Sequence, residues 1–313
     1  MTAAASFQHV PVLLREVLQW LAPHPGGVYA DGTLGGGGHS QAILGMMAGT
    51  GTLYGIDRDE AAITAASSRL KENKNFIAIH GNFHEIKELL PPETMLDGGL
   101  LDLGVSSHQL DTPDRGFSYH EDAPLDMRMD RGQGETAAQW LARVTEKDFA
   151  QALYDFSDEK WAARIAKVLI EKRAVKPIET TQDLVNVVDA AIPKAVRRKD
   201  SGHPARRTFQ AVRIAVNEEL DPLPKALQDW MELLRPGARL CVITFHSIED
   251  RLVKRAFQQM KNPCTCPPRA PVCTCGKQPV ARVLAGGAIA PDELELTENS
   301  RAQSAKLRVA ERL

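Results

Sequence analysis

Residues 28–40 read Val-Tyr-Ala-Asp-Gly-Thr-Leu-Gly-Gly-Gly-Gly-His-Ser, and this stretch decides the fold class. It leads from an apolar run, typical of a short strand, into a helical pattern that begins near Ser40. Four consecutive glycines join the two, and glycine permits positive φ and a close approach of the backbone to a ligand. The stretch therefore predicts a cofactor loop at a helix amino terminus. A strand-to-helix turn without a ligand is the alternative interpretation of the glycines alone.

An acid ends the next predicted strand, which reads Tyr-Gly-Ile-Asp at residues 54–57. At this distance from the loop, Asp57 can accept hydrogen bonds from both ribose hydroxyls of an adenosine cofactor. A dinucleotide fingerprint needs G-x-G-x-x-G. Counted from Gly35, its last position is Ser40, and counted from Gly32, its second glycine is Leu34. NAD is therefore disfavoured, and the Asp31-Gly32-Thr33 opening, the acid after the second strand and a final strand beyond a long excursion favour S-adenosylmethionine.

Short apolar runs alternate with helical patterns through the first hundred residues, as in a parallel α/β sheet. The predicted strands cover residues 27–30, 52–56, 76–79 and 98–103, with helices beginning near Ser40, Glu60 and His84. The strand signal returns at residues 239–245, after Arg235-Pro236-Gly237, and as an alternating pattern at 306–310. Two distant segments are therefore expected to build one sheet.

The region between these segments, residues 109–213, carries little strand signal and is predicted to be helical. Trp161, Ile165, Val168 and Leu169 share one helical face, and Thr145 with Asp148 has capping-box spacing. The predicted organisation is a Rossmann-like α/β domain made of residues 1–108 and 214–313, with a helical insertion domain at 109–213.

The composition excludes several classes of protein. With 43% hydrophobic and 25% charged residues, the chain of 313 residues is neither disordered nor fibrous. Its apolar runs are too short to cross a membrane, and Arg15 and Glu16 fall where a signal peptide needs its apolar stretch. We therefore expect a cytoplasmic protein with no membrane partner. A formal charge of -2 gives no global attraction to nucleic acid.

A basic stretch lies between residues 194 and 213, although the net charge of the chain is negative. Its cations are Lys194, Arg197, Arg198, Lys199, Arg206, Arg207 and Arg213, against the single acid Asp200. Such a concentration suits phosphate groups, and a solvated helix face is the alternative.

Four of the five cysteines lie close together, namely Cys264, Cys266, Cys273 and Cys275, in an excursion at 261–299 that is rich in Pro, Gly and Cys. This is not the disulfide framework of a secreted protein. Four thiolates are enough for a tetrahedral zinc site, but two Cys-x-Cys pairs are weaker support than two Cys-x-x-Cys pairs. The sequence alone favours a reduced, metal-free loop, so no metal is assigned.

Six motifs in order resemble the bacterial 16S ribosomal RNA (cytosine-N4)-methyltransferase family. They are DGTLGGGGHS at 31–40, LDLGVSSHQL at 101–110, RGFSY at 115–119, APLDMRMD at 123–130, HPARRTFQAVRIAV at 203–216 and TFHSIEDR at 244–251. The resemblance spans nearly the whole chain. It implies methyl transfer from S-adenosylmethionine to the exocyclic amine of a decoding-centre cytosine in the 16S rRNA of the small ribosomal subunit. It also implies a methyltransferase-type Rossmann-like sheet whose helical insertion recognises the RNA.

The resemblance also implies the cofactor-binding residues, which are Gly37, Gly38, His39, Asp57, Phe83, Asp102 and Gln109. The loop amides and His39 would hold the methionine end and Asp57 the ribose. Phe83 would cover one face of the adenine, with core packing as its alternative role. Asp102 and Gln109 would lie nearer the sulfonium.

Catalysis is assigned to Asp102, His246 and Asp250, and RNA binding to Arg197, Arg198, Arg206 and Arg207. Asp102 closes the fourth predicted strand, at the sheet edge where such folds bind ligands, and could accept a hydrogen bond from the target amine. His246 and Asp250 follow the fifth strand at the same edge. They could bind the target nucleotide or cap the next helix, where Ser247 and Asp250 have capping-box spacing.

One departure from other amine methyltransferases is visible after the fourth strand. Many of them carry Asp/Asn-Pro-Pro and an aromatic ring that stacks on the base, whereas this chain has Asp102-Leu103-Gly104-Val105. Phe117, Tyr119 and Phe245 are the alternative stacking residues. Two other functions stay open here, a ribosome-assembly factor that uses the cofactor structurally and a methyltransferase of a non-RNA substrate. The oligomeric state, including a homo-oligomer, is also open.

Overall fold

A computed structural model describes residues 11–197, 202–267 and 272–313. The chain divides into two compact units. The sheet unit consists of Met1–Gly104 and Asp221–Leu313, and the helical unit consists of Val105–Leu220. The sequence-based boundaries lay at 108/109 and 213/214, and the role given there to the insertion, recognition of RNA, stays a prediction.

Within the described residues, the sheet unit contains a seven-stranded sheet in the order β3-β2-β1-β4-β5-β7-β6. The strands are β1 (Val28–Asp31), β2 (Thr52–Asp57), β3 (Phe76–His80), β4 (Leu96–Asp102), β5 (Leu234–Thr244), β6 (Ala281–Val283) and β7 (Lys306–Arg312). Strands β1 to β5 run parallel, and β7 lies antiparallel between β5 and β6. The predicted α/β sheet and its assembly from two distant segments are confirmed.

The helices follow in chain order. They are α1 (Leu14–Leu21), α2 (Gly38–Met47), α3 (Glu60–Arg69), α4 (Ile86–Leu89), α5 (Ser107–Asp111), α6 (Ala137–Arg143), α7 (Glu146–Ser157), α8 (Ala162–Arg173), α9 (Thr181–Ala191), α10 (Lys194–Arg197), α11 (Arg206–Asn217), α12 (Leu223–Leu233), α13 (Ser247–Lys261) and α14 (Glu293–Glu298). Short 3₁₀ turns cover Phe83–Glu85, Pro113–Arg115 and Ser300–Ser304. No helix of the described ranges is both long enough and apolar enough to span a bilayer.

The central parallel strands β1, β2 and β4 are mostly buried because both faces of the sheet are covered there, whereas the outer strand β3 contains no buried residue. On one face, Leu100 and Cys241 are fully buried in a cluster with Val17 of α1. On the other face, Leu101 is fully buried in a cluster with Trp230 of α12. Alternating side chains along β4 therefore anchor the middle of the sheet to helices on both sides.

The helical unit has its own core. Ile165 and Leu169 of α8 are fully buried in it, as their shared helical face predicts. Helix α7 begins where expected, because the Thr145 side chain accepts a hydrogen bond from the Asp148 amide at 3.1 Å. The predicted helical character of this region is confirmed.

Strand β5 begins earlier than predicted, at Leu234 rather than Arg239. Residues 235–237 signal a turn, but they lie in a strand whose register against β4 shifts between the pairs Leu96↔Leu234 and Gly98↔Arg239. Pro236 has no amide proton for a ladder hydrogen bond, so the irregularity falls where proline is tolerated.

Candidate active site

Three acids stand at the carboxyl ends of neighbouring parallel strands, Asp31 on β1, Asp57 on β2 and Asp102 on β4. His246 follows β5 directly after Phe245. Ligands of open α/β sheets bind at this edge, because the loops that follow the strands meet there. The residues around these ends therefore define the candidate site of the sheet unit.

The glycine-rich loop is tied to both of its neighbouring strands. Asp31 accepts hydrogen bonds from the Ser40 hydroxyl at 2.7 Å and from the Thr33 amide at 3.2 Å. Asp57 accepts one from the Gly35 amide at 2.8 Å. Gly37 has φ of 76°, in the left-handed region that favours glycine. These hydrogen bonds fix the shape of the loop. Because residues 35–38 are glycines, it presents backbone atoms and no side chains there.

Asp57 uses both carboxylate oxygens inside the protein, because its second oxygen accepts a hydrogen bond from the Asp59 amide at 2.9 Å. Each carboxylate oxygen has two lone pairs, so both can accept a further hydrogen bond from a ligand. Burial raises the pKa of Asp57 to about 6. Its backbone hydrogen bonds oppose that rise by stabilising the charged form.

The side chains of His39, which follows the glycine-rich loop, and Asp102 lie close to each other. The buried His39 ring donates a hydrogen bond from Nε2 to the Val12 carbonyl at 2.9 Å, since a carbonyl can only accept. Its Nδ1 lies 3.7 Å from Oδ2 of Asp102. The other oxygen, Oδ1 of Asp102, is buried and has no hydrogen-bond partner among the described residues. A buried carboxyl oxygen without a hydrogen-bond partner destabilises the fold unless a ligand donates a hydrogen bond to it.

Three carboxyl groups lie at this edge: those of Asp31 and Glu249 are buried, and the Asp102 side chain is 25% exposed. Burial raises the pKa of Asp102 well above its usual value, and the charges of Asp31 and Glu249 raise it further. Burial also raises the pKa of Asp31 to about 6. The site therefore favours either protonated carboxyls or a bound positive charge.

Sequence reasoning did not assign Asp31 or Glu249 to the site. Asp31 offered one signal, since it ends a predicted strand as Asp57 and Asp102 do. The sequence gives no signal that Glu249 belongs to the site, because a glutamate at the third position of a helix commonly caps the helix amino terminus.

Helix α13 begins with a cap that differs from the predicted one. The expected Ser247 and Asp250 capping box is wrong. His246 is the capping residue, and Glu249 accepts hydrogen bonds from the amides of Phe245 at 3.0 Å and His246 at 3.4 Å. His246 Nε2 also lies 2.9 Å from Oε1 of Glu249. His246 is thus held against the buried acid.

Asp250 is bound to the sheet instead. Arg308 of β7 donates two hydrogen bonds to its carboxylate, at 2.7 and 3.0 Å, and Lys306 lies 3.4 Å away. Burial alone would raise the pKa of Asp250, but the Arg308 hydrogen bond and charge outweigh it and lower the pKa. Asp250 therefore fastens α13 to β7.

Phe83 lies in the 3₁₀ turn after β3 and is partly buried against the core of the sheet. Its carbonyl accepts a hydrogen bond from the Trp230 indole at 2.9 Å, and its ring meets His84 edge to face with centroids 4.2 Å apart. A side chain at Gly32 would have no room, because its Cβ would lie 2.9 Å from Cβ of Phe83. Phe83 thus packs in the core and borders the glycine-rich loop.

Gln109 belongs to the helical unit, where it closes a capping box at the start of α5. Its side-chain oxygen accepts a hydrogen bond from the Ser106 amide at 2.9 Å, and its own amide donates to the Ser106 hydroxyl at 3.2 Å. The sequence-based assignment to the cofactor did not anticipate this structural role.

The basic stretch is only partly described. Arg206 is exposed and Arg207 half-buried in the first turn of α11, whereas the Arg197 side chain and the whole of Arg198 lie outside the described residues. Arg213 forms two 2.9 Å hydrogen bonds with Glu219, so its charge is already neutralised. Its place among the cations suited to phosphates is therefore corrected.

The three alternative stacking residues differ in exposure. Phe117 is buried in the helical core, and Phe245 packs against the core of the sheet. Tyr119 is half-buried, and its ring stacks on His203 with centroids 4.5 Å apart and an interplanar angle of 17°. Among the three, Tyr119 already takes part in a face-to-face ring stack.

Two kinds of sequence comparison, with a family model and with curated proteins, match nearly the whole chain. The model of the MraW methylase family matches residues 6–313. The ribosomal RNA small subunit methyltransferase H of Acetivibrio thermocellus is 51% identical, over 98% of this chain and 99% of its own. Its counterpart in Heliobacterium modesticaldum is 48% identical over the same shares. A solved rRNA methylase from Streptococcus thermophilus aligns over 97% of this chain and 99% of that chain, with a TM-score of 0.42 and 10% identity. On the family match and the two relatives, the chain belongs to the MraW methylase family.

Proposed function

We propose that this protein transfers the methyl group of S-adenosylmethionine to N4 of a decoding-centre cytosine in 16S rRNA, acting in the cytoplasm on the small ribosomal subunit. Family membership and the name of the two relatives support the reaction class and the RNA substrate. The observation that carries the proposal is the buried, unpartnered Oδ1 of Asp102 at the end of β4. A carboxyl oxygen placed there can receive a hydrogen bond from an amine that enters the site.

The chemistry of the sheet edge supports the cofactor. The glycine-rich loop has no side chains at residues 35–38, and Asp57 keeps lone pairs for two ribose hydroxyls. When bound, S-adenosylmethionine supplies an electrophilic methyl group on a sulfonium cation. The carboxyls of Asp31, Asp102 and Glu249 favour that positive charge, since a nearby cation lowers the pKa of an acid and offsets the effect of burial.

Asp102 is the catalytic residue of the proposal. The exocyclic amine of cytosine is a weak nucleophile because its lone pair is delocalised into the ring. A hydrogen bond from the amine to Asp102 Oδ1 would orient that lone pair and stabilise the positive charge that develops on nitrogen. Burial and the neighbouring carboxyl charges raise the pKa of Asp102, which favours its acceptance of the proton released afterwards.

His39, His246 and Asp250 have supporting roles in this scheme. His39 is a positioning residue, because its ring bridges the Val12 carbonyl and the Asp102 carboxyl. His246 is held next to Glu249 and is the second group able to orient the base. Asp250 is fully engaged by Arg308, so we assign it to positioning α13 rather than to proton transfer.

The helical unit supplies the proposed RNA contacts. Arg206 and Arg207, with Arg197 and Arg198 from the sequence-based prediction, would bind phosphates. Tyr119 would stack on a base, because aromatic rings commonly hold splayed-out nucleotides in RNA complexes. The stack with His203 supports this choice, since it holds the ring face in place.

The direct test is methyl transfer to a defined substrate. Purified protein, labelled cofactor and small subunits from a strain that lacks the enzyme should yield N4-methylcytidine in 16S rRNA, mapped by nuclease digestion and mass spectrometry. Subunits from the parent strain are the control and should take up little label. Label in protein or in small molecules would favour a non-RNA substrate, and tight binding without any label would favour an assembly factor.

A further inference from the structure

The cysteine cluster is a group of soft ligands that the proposed function does not use. Cys264, Cys266, Cys273 and Cys275 lie in the sheet unit, between the end of α13 at Lys261 and the start of β6 at Ala281. All are free thiols, and their four sulfur atoms lie within 4.8 Å of one another. Residues 268–271, inside this segment, are outside the described part of the chain.

The spacing of the sulfurs matches a metal tetrahedron. Cys273 Sγ lies 3.7 Å from that of Cys264, 3.8 Å from that of Cys266 and 3.5 Å from that of Cys275. Cys275 and Cys264 are 3.8 Å apart. A tetrahedral ZnS₄ site with Zn–S bonds of about 2.3 Å has sulfurs about 3.8 Å apart. A disulfide would bring two of them to about 2.05 Å.

The backbone around the cluster is arranged as it is around metal thiolates. The Thr274 amide donates a hydrogen bond to Cys266 Sγ at 3.4 Å, and contacts of this kind orient a ligand and stabilise its charge. Gly276 follows the last cysteine with φ of 66°, so the chain can turn away from the cluster there. In the sequence, the Cys-x-Cys spacing is weak support for a zinc site. The fold of the segment gives stronger support, because it brings the four sulfur atoms together.

We propose that Cys264, Cys266, Cys273 and Cys275 bind one zinc ion at a closed structural site. Four thiolates fill a tetrahedron and leave no position for water or substrate, so the ion would not take part in methyl transfer. A tetrahedral S₄ set also suits iron, which makes the identity of the metal part of the test.

The ion would stabilise the segment between α13 and β6, the last strand in the order of the sheet. The Val280 amide donates to the Met260 carbonyl at 3.0 Å, which brings the end of the segment back to α13. Strand β6 starts one residue later and pairs only with β7 among the described strands. A metal cross-link between residues 264 and 275 would shorten the free loop that β6 must close.

The test begins with the full-length chain, purified without an affinity tag, under reducing conditions and without chelator. Mass spectrometry of the metal content after gel filtration should find about one zinc per chain. Removal of zinc and titration with Co²⁺ should produce the intense visible bands of tetrahedral cobalt and a thiolate-to-cobalt charge-transfer band. Limited proteolysis should then cut the segment 264–275 faster in metal-free protein.

Cys273→Ser and Cys275→Ser should each lose zinc and the cobalt charge-transfer band. Thr265→Ala is the matched control, because Thr265 is exposed between two ligands and offers no sulfur. It should keep both the metal and the spectrum. Circular dichroism and calorimetric binding of S-adenosylmethionine establish that each variant is folded. If reduced parent protein gives no thiolate–cobalt band, if the cysteine variants retain it, or if iron occupies the site stoichiometrically, the proposal is wrong.

Discussion

At the scale of single residues, the chemistry of the site rests on carboxyl groups gathered at one edge of the sheet. Asp31 and Glu249 are buried, and Asp102 is partly exposed but keeps one buried oxygen, Oδ1, without a partner among the described residues. In the absence of a ligand this arrangement favours protons on the acids. A cationic ligand would reverse that preference, so cofactor binding should be linked to proton release.

The first prediction separates catalysis by Asp102 from cofactor binding. Asp102→Asn keeps the shape of the side chain but removes its ability to accept a proton. If Asp102 serves the amine, turnover at saturating cofactor and subunit should fall about 100-fold or more in single-turnover assays. If it only holds the cofactor, the Michaelis constant should rise and saturated turnover should stay near that of the parent.

Asp97→Asn is the matched control for this measurement. Asp97 lies on the same strand at its opposite end, where it accepts a hydrogen bond from the Val28 amide at 2.8 Å. Its replacement should leave single-turnover methyl transfer unchanged. Equal rates for Asp102→Asn and the parent enzyme would remove Asp102 from the chemical step.

The second prediction concerns the pH dependence of stability. Burial holds the pKa of Asp31 at about 6, above its ordinary value of 3.8. The unfolded chain therefore loses this proton first as pH rises. The stability that the protonated group provides is complete below about pH 4 and is lost as pH rises through about 6. For a shift of about two units, the loss is at most about 3 kcal/mol.

Asp31→Asn should abolish that loss. Urea unfolding of cofactor-free protein between pH 4 and 7 should show the free energy of unfolding of the parent falling relative to that of the variant. Titrating groups that do not interact with Asp31 are common to both proteins and cancel in the difference, whereas the charges of Asp57 and Asp102 interact with Asp31 and add a smaller change. Parallel curves over this range would contradict the proposed burial of a titrating Asp31.

The third prediction tests the ribose contact. Asp57→Ala should weaken S-adenosylmethionine binding, measured by calorimetry, by about 1.5 to 3 kcal/mol, the usual range for a hydrogen bond to a charged group. Part of the loss would come from the loop, since Asp57 also holds the Gly35 amide. Asp59→Asn is the control, because it keeps the side-chain oxygen that caps α3. A folded Asp57→Ala protein with unchanged affinity would exclude the contact.

At the scale of secondary-structure elements, the sequence predicts the parallel strands well because each is a short run rich in apolar residues. The end of β2 was placed one residue early, at Ile56 instead of Asp57, and the end of β4 one residue late, at Leu103 instead of Asp102. The start of α13 was not predictable in the same way. Histidine is an unusual capping residue, and only the fold shows that Glu249 turns back onto the Phe245 amide.

The same contrast applies to the candidate site. Glycines, strand-end acids and basic runs are visible as local patterns, so the loop, Asp57, Asp102 and Arg206 could be named in advance. The pairing of Asp250 with Arg308 and of Arg213 with Glu219 depends on distances across the fold. No local pattern reports them, and they decide which charged groups are available to a ligand.

The fourth prediction concerns α11. If its first turn binds phosphates, the double variant Arg206→Ala/Arg207→Ala should weaken binding to the small subunit. It should also reduce the slope of log affinity against log salt by about 0.7 to 0.9 for each phosphate that the variant no longer neutralises. Cofactor affinity should not change, because neither residue is among those assigned to the cofactor.

Arg164→Ala/Lys167→Ala is the matched control on α8. It removes the same number of positive charges from another helix of the same unit. Its salt slope should equal that of the parent. If the two double variants behave alike, the basic stretch is a solvated surface, as a charge run often is.

At the scale of the whole molecule, one compact unit interrupts another. The sheet unit is made of two chain segments, while the helical unit is continuous in sequence. The strands that carry Asp31, Asp57 and Asp102 come before the interruption, and the strand that leads to His246 comes after it. The candidate site is therefore complete only when both segments of the sheet unit have folded together.

The adjacency of β4 and β5 also sets an order of events during synthesis. Leu100 of β4 pairs with Cys241 of β5, and the whole helical unit is translated between them. At about 5–20 residues per second, β5 is synthesised on the order of ten seconds after β4. During that time one apolar edge of β4 has no partner strand. The helical unit can fold first, because every part of it is already present. Pulse proteolysis of ribosome-arrested chains should then find residues 105–220 protected before residues 28–102, which makes the nascent half-sheet the stage most exposed to aggregation.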